Sequence, residues 1–209
     1  MKFYDCGPAP SPKRVRMFIA EKGLSIPVVQ VDLRSGGQFN EAFRKLNPWC
    51  TVPVLELDDG TAISEAIACC RYLEAAYPEP ALMGRTASEQ GVIAMWEHRC
   101  ESDGFLAAGE AFRNQTPAFK TRALPGADDF PQIPALVERG KVRVQSFFKW
   151  LDARLSESAF VAGPEFTVAD ITAFISIEFA GWLKLKLPDD HTHAKRWYEA
   201  VASRPSAKV

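Results

Sequence analysis

Histidine is scarce in this chain of 209 residues. Only His98, His191 and His193 occur, and they lack a ligand set, so no metal is expected. Cysteine is no better organised. Cys6, Cys50, Cys69, Cys70 and Cys100 are odd in number and lack the paired spacing of a zinc cluster or a disulfide scaffold, which leaves reduced thiols as the expectation. Cys69 and Cys70 are neighbours, and successive helical side chains diverge, so both read as small buried apolar residues rather than as a redox pair. A dominant charge is also missing: 25 Lys and Arg face 26 Asp and Glu, without a long run of either sign. That balance excludes a general nucleic-acid surface or a polybasic membrane surface. The first residues, Met1-Lys2-Phe3-Tyr4-Asp5, soon reach Lys13, Arg14 and Arg16, so there is no apolar signal-peptide core and the expected compartment is the cytoplasm. Internal repeats and low-complexity tracts are absent as well. What remains is an ordinary globular composition, 47% apolar and 24% charged, enough for two modest cores.

Local signals divide the chain in two. Lys2–Asp5 reads as a strand, and Cys6-Gly7-Pro8-Ala9-Pro10 as a loop. Ser11-Pro12 fits a helix cap followed by proline at the first helical position, with Val15, Phe18 and Ile19 as an apolar stripe and Gly23 as the stop. A strand over 27–31, a turn at Arg34-Ser35-Gly36-Gly37 and a short helix over 40–46 follow. A strand over 52–57 then turns through Asp58-Asp59-Gly60-Thr61 into a short partner over 61–63, and a helix over 64–76 closes the pattern. The order is βαβ-α-ββα, a mixed sheet covered by helices. Beyond a proline-rich linker over 79–86 the strand signals stop. Helices are expected over 89–114, 133–156, 168–183 and 192–203, with 117–131 as an irregular connection. The expected domains are therefore 1–78 and 87–209.

Four separated stretches, from Pro8 to Gly23, Asn47 to Leu55, Ser64 to Ile67 and Phe166 to Ile171, together resemble the cytosolic glutathione S-transferase family, of a bacterial theta- or beta-like kind. Pro8-Ala9-Pro10-Ser11-Pro12-Lys13-Arg14-Val15-Arg16, followed by Ala20-Glu21-Lys22-Gly23, is similar to its first loop and helix. Asn47-Pro48 with Thr51-Val52-Pro53-Val54-Leu55 resembles its glutathione-backbone motif, Ser64-Glu65-Ala66-Ile67 stands at its γ-glutamyl position, and Phe166-Thr167-Val168-Ala169-Asp170-Ile171 resembles its folding motif. The resemblance implies an α/β thioredoxin-like N-terminal domain that binds glutathione and an all-α C-terminal domain. It implies a cis Val52-Pro53 bond that turns the main chain of Val52 toward the ligand's cysteinyl part, instead of a trans proline opening an edge strand. It also implies Glu65 on the ligand's ammonium and the N–H groups of Ala66 and Ile67 on its carboxylate, where the bland alternative is a helix cap from Ser64 or Glu65. Gln38 falls where relatives reach the glycine end. Cys50 sits where a basic residue sometimes stands, and for both residues a solvated loop is the alternative.

The resemblance departs from the family at two places. In many relatives the activating serine or cysteine corresponds to Ala9, and the residue after the acid is a serine where this chain has Ala66. Ser11 is the nearest hydroxyl and the candidate donor to the glutathione thiolate, with helix capping as the competing role. Cys6 is read as structural. The electrophile pocket is expected between the first helix and the early helices of the second domain, with Phe105, Phe112 and Trp182 as an apolar wall and core packing as the alternative for each. Arg99, Glu101 and Asp103 read as a solvated helix face or a charge network. Thr167 and Asp170 form a capping box with Phe166 and Ile171 as its staple.

These readings lead to a glutathione transferase that conjugates the thiolate to small hydrophobic electrophiles, as a homodimer. A non-catalytic protein that binds glutathione or hydrophobic ligands, and a glutathione-dependent thiol-disulfide oxidoreductase using Cys6 or Cys50, are the alternatives.

Overall fold

In the computed structural model, which describes residues 1–209, the chain forms two compact units. One comprises Met1–Pro80 with Pro125–Asp129 and Val209; the other comprises Ala81–Leu124 with Phe130–Lys208.

The first unit carries β1 (Lys2–Asp5), β2 (Val28–Gln30), β3 (Val54–Glu56) and β4 (Ala62–Ser64), in the sheet order β2-β1-β3-β4. Parallel strands need a crossover, and α1 (Pro10–Glu21) supplies it between β1 and β2. β3 is antiparallel to both β1 and β4. The tight Asp-Gly turn is closed by Leu57 N–H donating to Thr61 O at 2.8 Å and by Thr61 N–H donating to Asp59 Oδ1 at 2.8 Å. With α2 (Glu41–Leu46) after β2 and α3 (Ala66–Ala76) after β4, the expected βαβ-α-ββα order is complete. Phe3, Val15, Met17, Phe18, Val54, Leu55 and Leu73 are wholly buried. Ile19 is only partly covered, and Met17 takes the place expected for it in the core.

Two helix starts in the first unit bear on candidate residues. Ser11 is not a cap: α1 begins two residues earlier than expected, at Pro10 rather than Pro12, with Ala9 in the cap position and no side-chain capping bond. Proline suits the first turn because its φ is already helical and its missing N–H has no helical partner there. α3 begins at Ala66 rather than Ser64, because Ser64 pairs with Val54 as the last residue of β4. The end of α1 is as expected. Gly23 takes φ 64, its N–H reaches Ala20 O at 3.0 Å, and Leu24 N–H reaches Ile19 O at 3.0 Å, a doubly bonded left-handed stop. Lys22 beside it is buried, and its ammonium meets Tyr77 O (2.8 Å), Pro80 O (2.6 Å) and Glu74 Oε2 (2.6 Å), which neutralises and fully bonds the charge.

The second unit is helical: α4 (Ala87–Arg99), a π-helical turn (Cys100–Phe105), α5 (Leu106–Gln115), α6 (Ala135–Glu157), α7 (Val168–Gly181) and α8 (Thr192–Ala202). The single helix expected over 89–114 thus starts earlier, at the reciprocal Thr86–Glu89 cap, and is widened in the middle. A π turn offers main-chain carbonyls to side chains. Here Ser102 O accepts from Arg143 Nη2 at 2.6 Å and Cys100 O from Ser176 Oγ at 3.5 Å. α7 is the central helix, with every residue from Val168 to Ala180 buried except Glu178. α5 and α6 approach closely at Gly140, where a Cβ would stand 2.8 Å from Ala107 O and 2.9 Å from Ala111 Cβ. The connection over 117–131 contains a 3-10 turn (Pro117–Phe119) and an Arg122–Phe130 bridge. Arg113 gathers the carbonyls of Arg122, Ala123 and Leu124 at 2.5, 3.1 and 3.0 Å, while burial pulls its pKa down to about 10. No helix is long and apolar enough to cross a membrane.

Candidate functional site

Sheet register brings the segments that carry Ser11, Val52-Pro53 and Glu65 to one end of the sheet. Tyr4, Val54 and Ser64 lie in one row across β1, β3 and β4. One step beyond that row the chain runs into the Cys6–Ala9 loop and α1 from β1, back into Val52-Pro53 from β3, and on to Glu65 and α3 from β4. β2, parallel to β1, ends at the same edge and leads through Asp32 to Gln38. The carboxyl ends of parallel strands and the start of the helix that follows them are a usual place for ligands in such sheets, because unpaired N–H groups converge there.

At the start of α1 most of those N–H groups are missing or used. Pro10 and Pro12 have none, Ala9 N–H donates to Cys6 O at 2.8 Å, and Lys13 N–H donates to Ala9 O at 3.3 Å. Ser11, second in the helix and half-buried, is left with an unengaged N–H and a hydroxyl. Its Oγ accepts from Nη2 of the buried Arg14 at 3.2 Å, which occupies a lone pair and leaves the O–H to point elsewhere.

The Val52-Pro53 peptide is cis, and neither the N–H nor the C=O of Val52 makes a main-chain hydrogen bond within the chain. Pro53 is buried and Val52 half-buried. Asn47 secures the preceding loop, its Nδ2 donating to Thr51 O at 2.8 Å and its Oδ1 accepting from Trp49 N–H at 3.2 Å. Glu65 occupies the cap position of α3 with φ 71 and ψ 129, and its side chain caps nothing. Holding a non-glycine residue there costs on the order of 1–3 kcal/mol, and such strain concentrates at ligand clamps. Its carbonyl accepts from Cys69 N–H at 3.0 Å, while the N–H groups of Ala66 and Ile67 have no helical acceptor. Gln38 is half-buried in a 3-10 turn, with a covered Oε1 that has no partner. Neither it nor Cys50 is the solvated loop residue of the bland reading: Cys50 is buried, with φ 56 and its thiol against Pro48 O at 3.5 Å.

Cys6 is buried too, as are Cys69, Cys70 and Cys100. Burial pushes the Cys69 thiol up to about 12 and raises Cys100 well above its ordinary value, so neither is a thiolate at neutral pH.

In the second unit Phe105, Phe112 and Trp182 do come together, by way of Phe179. Its ring lies 5.6 Å from Phe105, 5.5 Å from Phe112 and 5.2 Å from Trp182, and Phe112 and Trp182 are themselves 5.2 Å apart. Phe105 is a core residue, whereas Trp182 is 48% exposed. Phe179 escaped sequence reasoning, although its position three residues before Trp182 on a helix was a usable signal. Arg99 and Asp103 form an exposed pair at 3.8 Å, the solvated face. Asp170 does more than cap α7. Its carboxylate accepts from Thr167 N–H (2.9 Å), Thr167 Oγ1 (3.1 Å), Val161 N–H (2.9 Å) and Trp197 Nε1 (2.8 Å), and burial raises its pKa to about 6 against the pull of those bonds.

A thioredoxin-like α/β unit followed by an all-helical unit defines the fold class. Family models extend this to the sequence: the N-terminal domain of glutathione S-transferases matches residues 10–76 and the C-terminal domain matches residues 114–205. The chain belongs to the glutathione S-transferase family. It is 34% identical to glutathione S-transferase 2 of Saccharomyces cerevisiae over 100% of its own length and 88% of that protein's. It superposes on the crystal structure of Gtt2 from Saccharomyces cerevisiae with a TM-score of 0.91 at 34% identity, covering 100% of this chain and 99% of that one. A glutathione S-transferase domain-containing protein from Marinobacter aquaeolei gives 0.91 at 39% identity, covering 99% of each chain.

Proposed function

We propose that the protein is a glutathione transferase whose first unit holds glutathione along the sheet edge, with the sulfur at the start of α1. Val52 pairs with the cysteinyl main chain, Glu65 takes the γ-glutamyl ammonium, Ala66 N–H the adjoining carboxylate, and Gln38 the glycine end, with Pro53 shaping the Val52 loop. The thiol proton leaves to solvent, the thiolate is held by the N–H and O–H of Ser11, and the sulfur attacks an electrophilic carbon, either displacing a leaving group or adding to an activated alkene whose displaced electron pair takes a proton from solvent. Phe105, Phe112 and Trp182 form the apolar wall for a small hydrophobic electrophile. The observation that carries this reading is the stripped start of α1, where Ser11 alone keeps an unengaged main-chain N–H and a hydroxyl; the strained Glu65, which caps nothing, supports it.

The test is steady-state conjugation of glutathione to a panel of aryl halides, epoxides and activated alkenes. Ser11→Ala is expected to lower kcat about 100-fold, the usual cost of removing one donor from a developing anion. Unchanged turnover in that variant would remove Ser11 from the mechanism. Glutathione binding without turnover on any electrophile would favour a binding protein, the reading motivated by Ala9 and Ala66. The burial of Cys6 and Cys50 weighs against thiol-disulfide exchange. The same proposal expects a cytoplasmic homodimer, checked by light scattering of the purified chain.

A further inference from the structure

Apart from these donors, four groups close a hydrogen-bonded ring at the junction of β1, β2 and α1. Asp5 is 2% exposed; its Oδ1 pairs with Arg16 Nη1 and its Oδ2 accepts from Gln30 Nε2 at 3.0 Å. Gln30 Oε1 accepts from Gly7 N–H at 3.1 Å, and Arg16 Nη2 returns to Gly7 O at 2.8 Å. Both main-chain polar groups of Gly7 are thus held by side chains that a single buried carboxylate orients. Gly7 lies inside the turn that Ala9 N–H closes on Cys6 O, shortly before Ser11. A charge-assisted ring of this kind is far stiffer than a solvated loop.

Resting on the transferase reading above, we propose that Asp5, Arg16 and Gln30 are positioning residues: they touch no reactant, and they fix the Cys6–Ala9 turn so that Ser11 meets the sulfur of glutathione. Their effect falls on kcat, because the groups that bind the rest of the tripeptide lie on other segments. Misplacing a reacting group by a fraction of an ångström costs about tenfold or more in rate.

The ring's polarity supplies the test. In Asp5→Asn, Oδ1 still accepts from Arg16, but the new amide N–H₂ faces the N–H₂ of Gln30; if Gln30 flips, its N–H₂ faces Gly7 N–H instead. Adding Gln30→Glu gives an acceptor both for that new amide and for Gly7 N–H, and keeps the net charge. We expect Gln30→Ala, on an exposed strand position, to lower kcat about tenfold while KM for glutathione stays within about twofold. Asp5→Asn should fall similarly, and D5N/Q30E should recover most of the loss. Wild-type kcat per folded molecule in Gln30→Ala, or a double variant no better than D5N, would overturn the proposal. Hydrogen exchange at the Gly7 amide is followed in parallel: slow in the wild type and the double variant, fast in Gln30→Ala. A wild-type chain that conjugates nothing while that exchange pattern holds would sink the transferase reading and the positioning role with it, leaving the ring a brace. Active enzyme with fast Gly7 exchange in the wild type would sink the ring alone.

Discussion

The sheet edge of the first unit and the surroundings of α7 and the π turn in the second treat polar groups in opposite ways. At the sheet edge of the first, the main chain of Val52, the N–H and O–H of Ser11, the first N–H groups of α3 and the Glu65 carboxylate are left open to an incoming molecule. In the second, Asp170 is saturated by four donors, and the Ser102 and Cys100 carbonyls of the π turn are met by Arg143 and Ser176. Groups satisfied internally lend rigidity and offer nothing to a ligand, whereas strained or unengaged ones mark where binding energy is collected.

That contrast breaks hardest at Asp170. Asp170→Ala strands the N–H groups of Val161, Thr167 and Trp197, and urea unfolding should register a loss of about 3–5 kcal/mol. The same carboxylate gives a pH signature. Its folded pKa is raised, so the stability it adds when protonated is complete below its ordinary value of 3.8 and is lost as pH rises through about 6; Asp170→Asn should erase that slope in urea midpoints measured across the window. Gly140→Ala should cost about 1–3 kcal/mol, read by thermal unfolding, because the new methyl meets main chain and Ala111 rather than a mobile side chain. Glu65→Gly is the sharpest discriminator despite the smallest effect on folding. Releasing φ 71 should leave stability unchanged or raise it by up to about 1 kcal/mol, while calorimetry shows glutathione affinity falling at least tenfold. Loss of stability with intact affinity would place Glu65 among the structural residues.

Where the information was local, the sequence was legible. The Asp-Gly turn, the Gly23 stop and the Thr167–Asp170 cap rest on signals within a few residues, the βαβ-α-ββα succession follows from stringing such signals together, and the structure agrees with each. The start of α1 was not: Pro-Ser-Pro fits a helix beginning at either proline, and only the packing of the Cys6–Ala9 turn selects the first. The π turn leaves no mark in the periodicity of 89–114, since Arg143 and Ser176, which meet its carbonyls, come from distant helices. For the same reason Asp170 looked like a cap alone, its other donors being Val161 and Trp197. Asp5, Arg16 and Gln30 were overlooked because a ring closed across three elements has no linear motif, although an acidic residue on the same face of β1 as Phe3 was a hint.

The paired prolines of α1 bear on which anions that helix end can hold. A helix that keeps several free amides cradles a phosphate or sulfate by sharing its oxygens among them. Stripped to one amide and one neighbouring hydroxyl, this end has low denticity and suits a charge concentrated on a single large atom, so polyoxyanions should compete there poorly while soft monatomic centres such as sulfur are accepted.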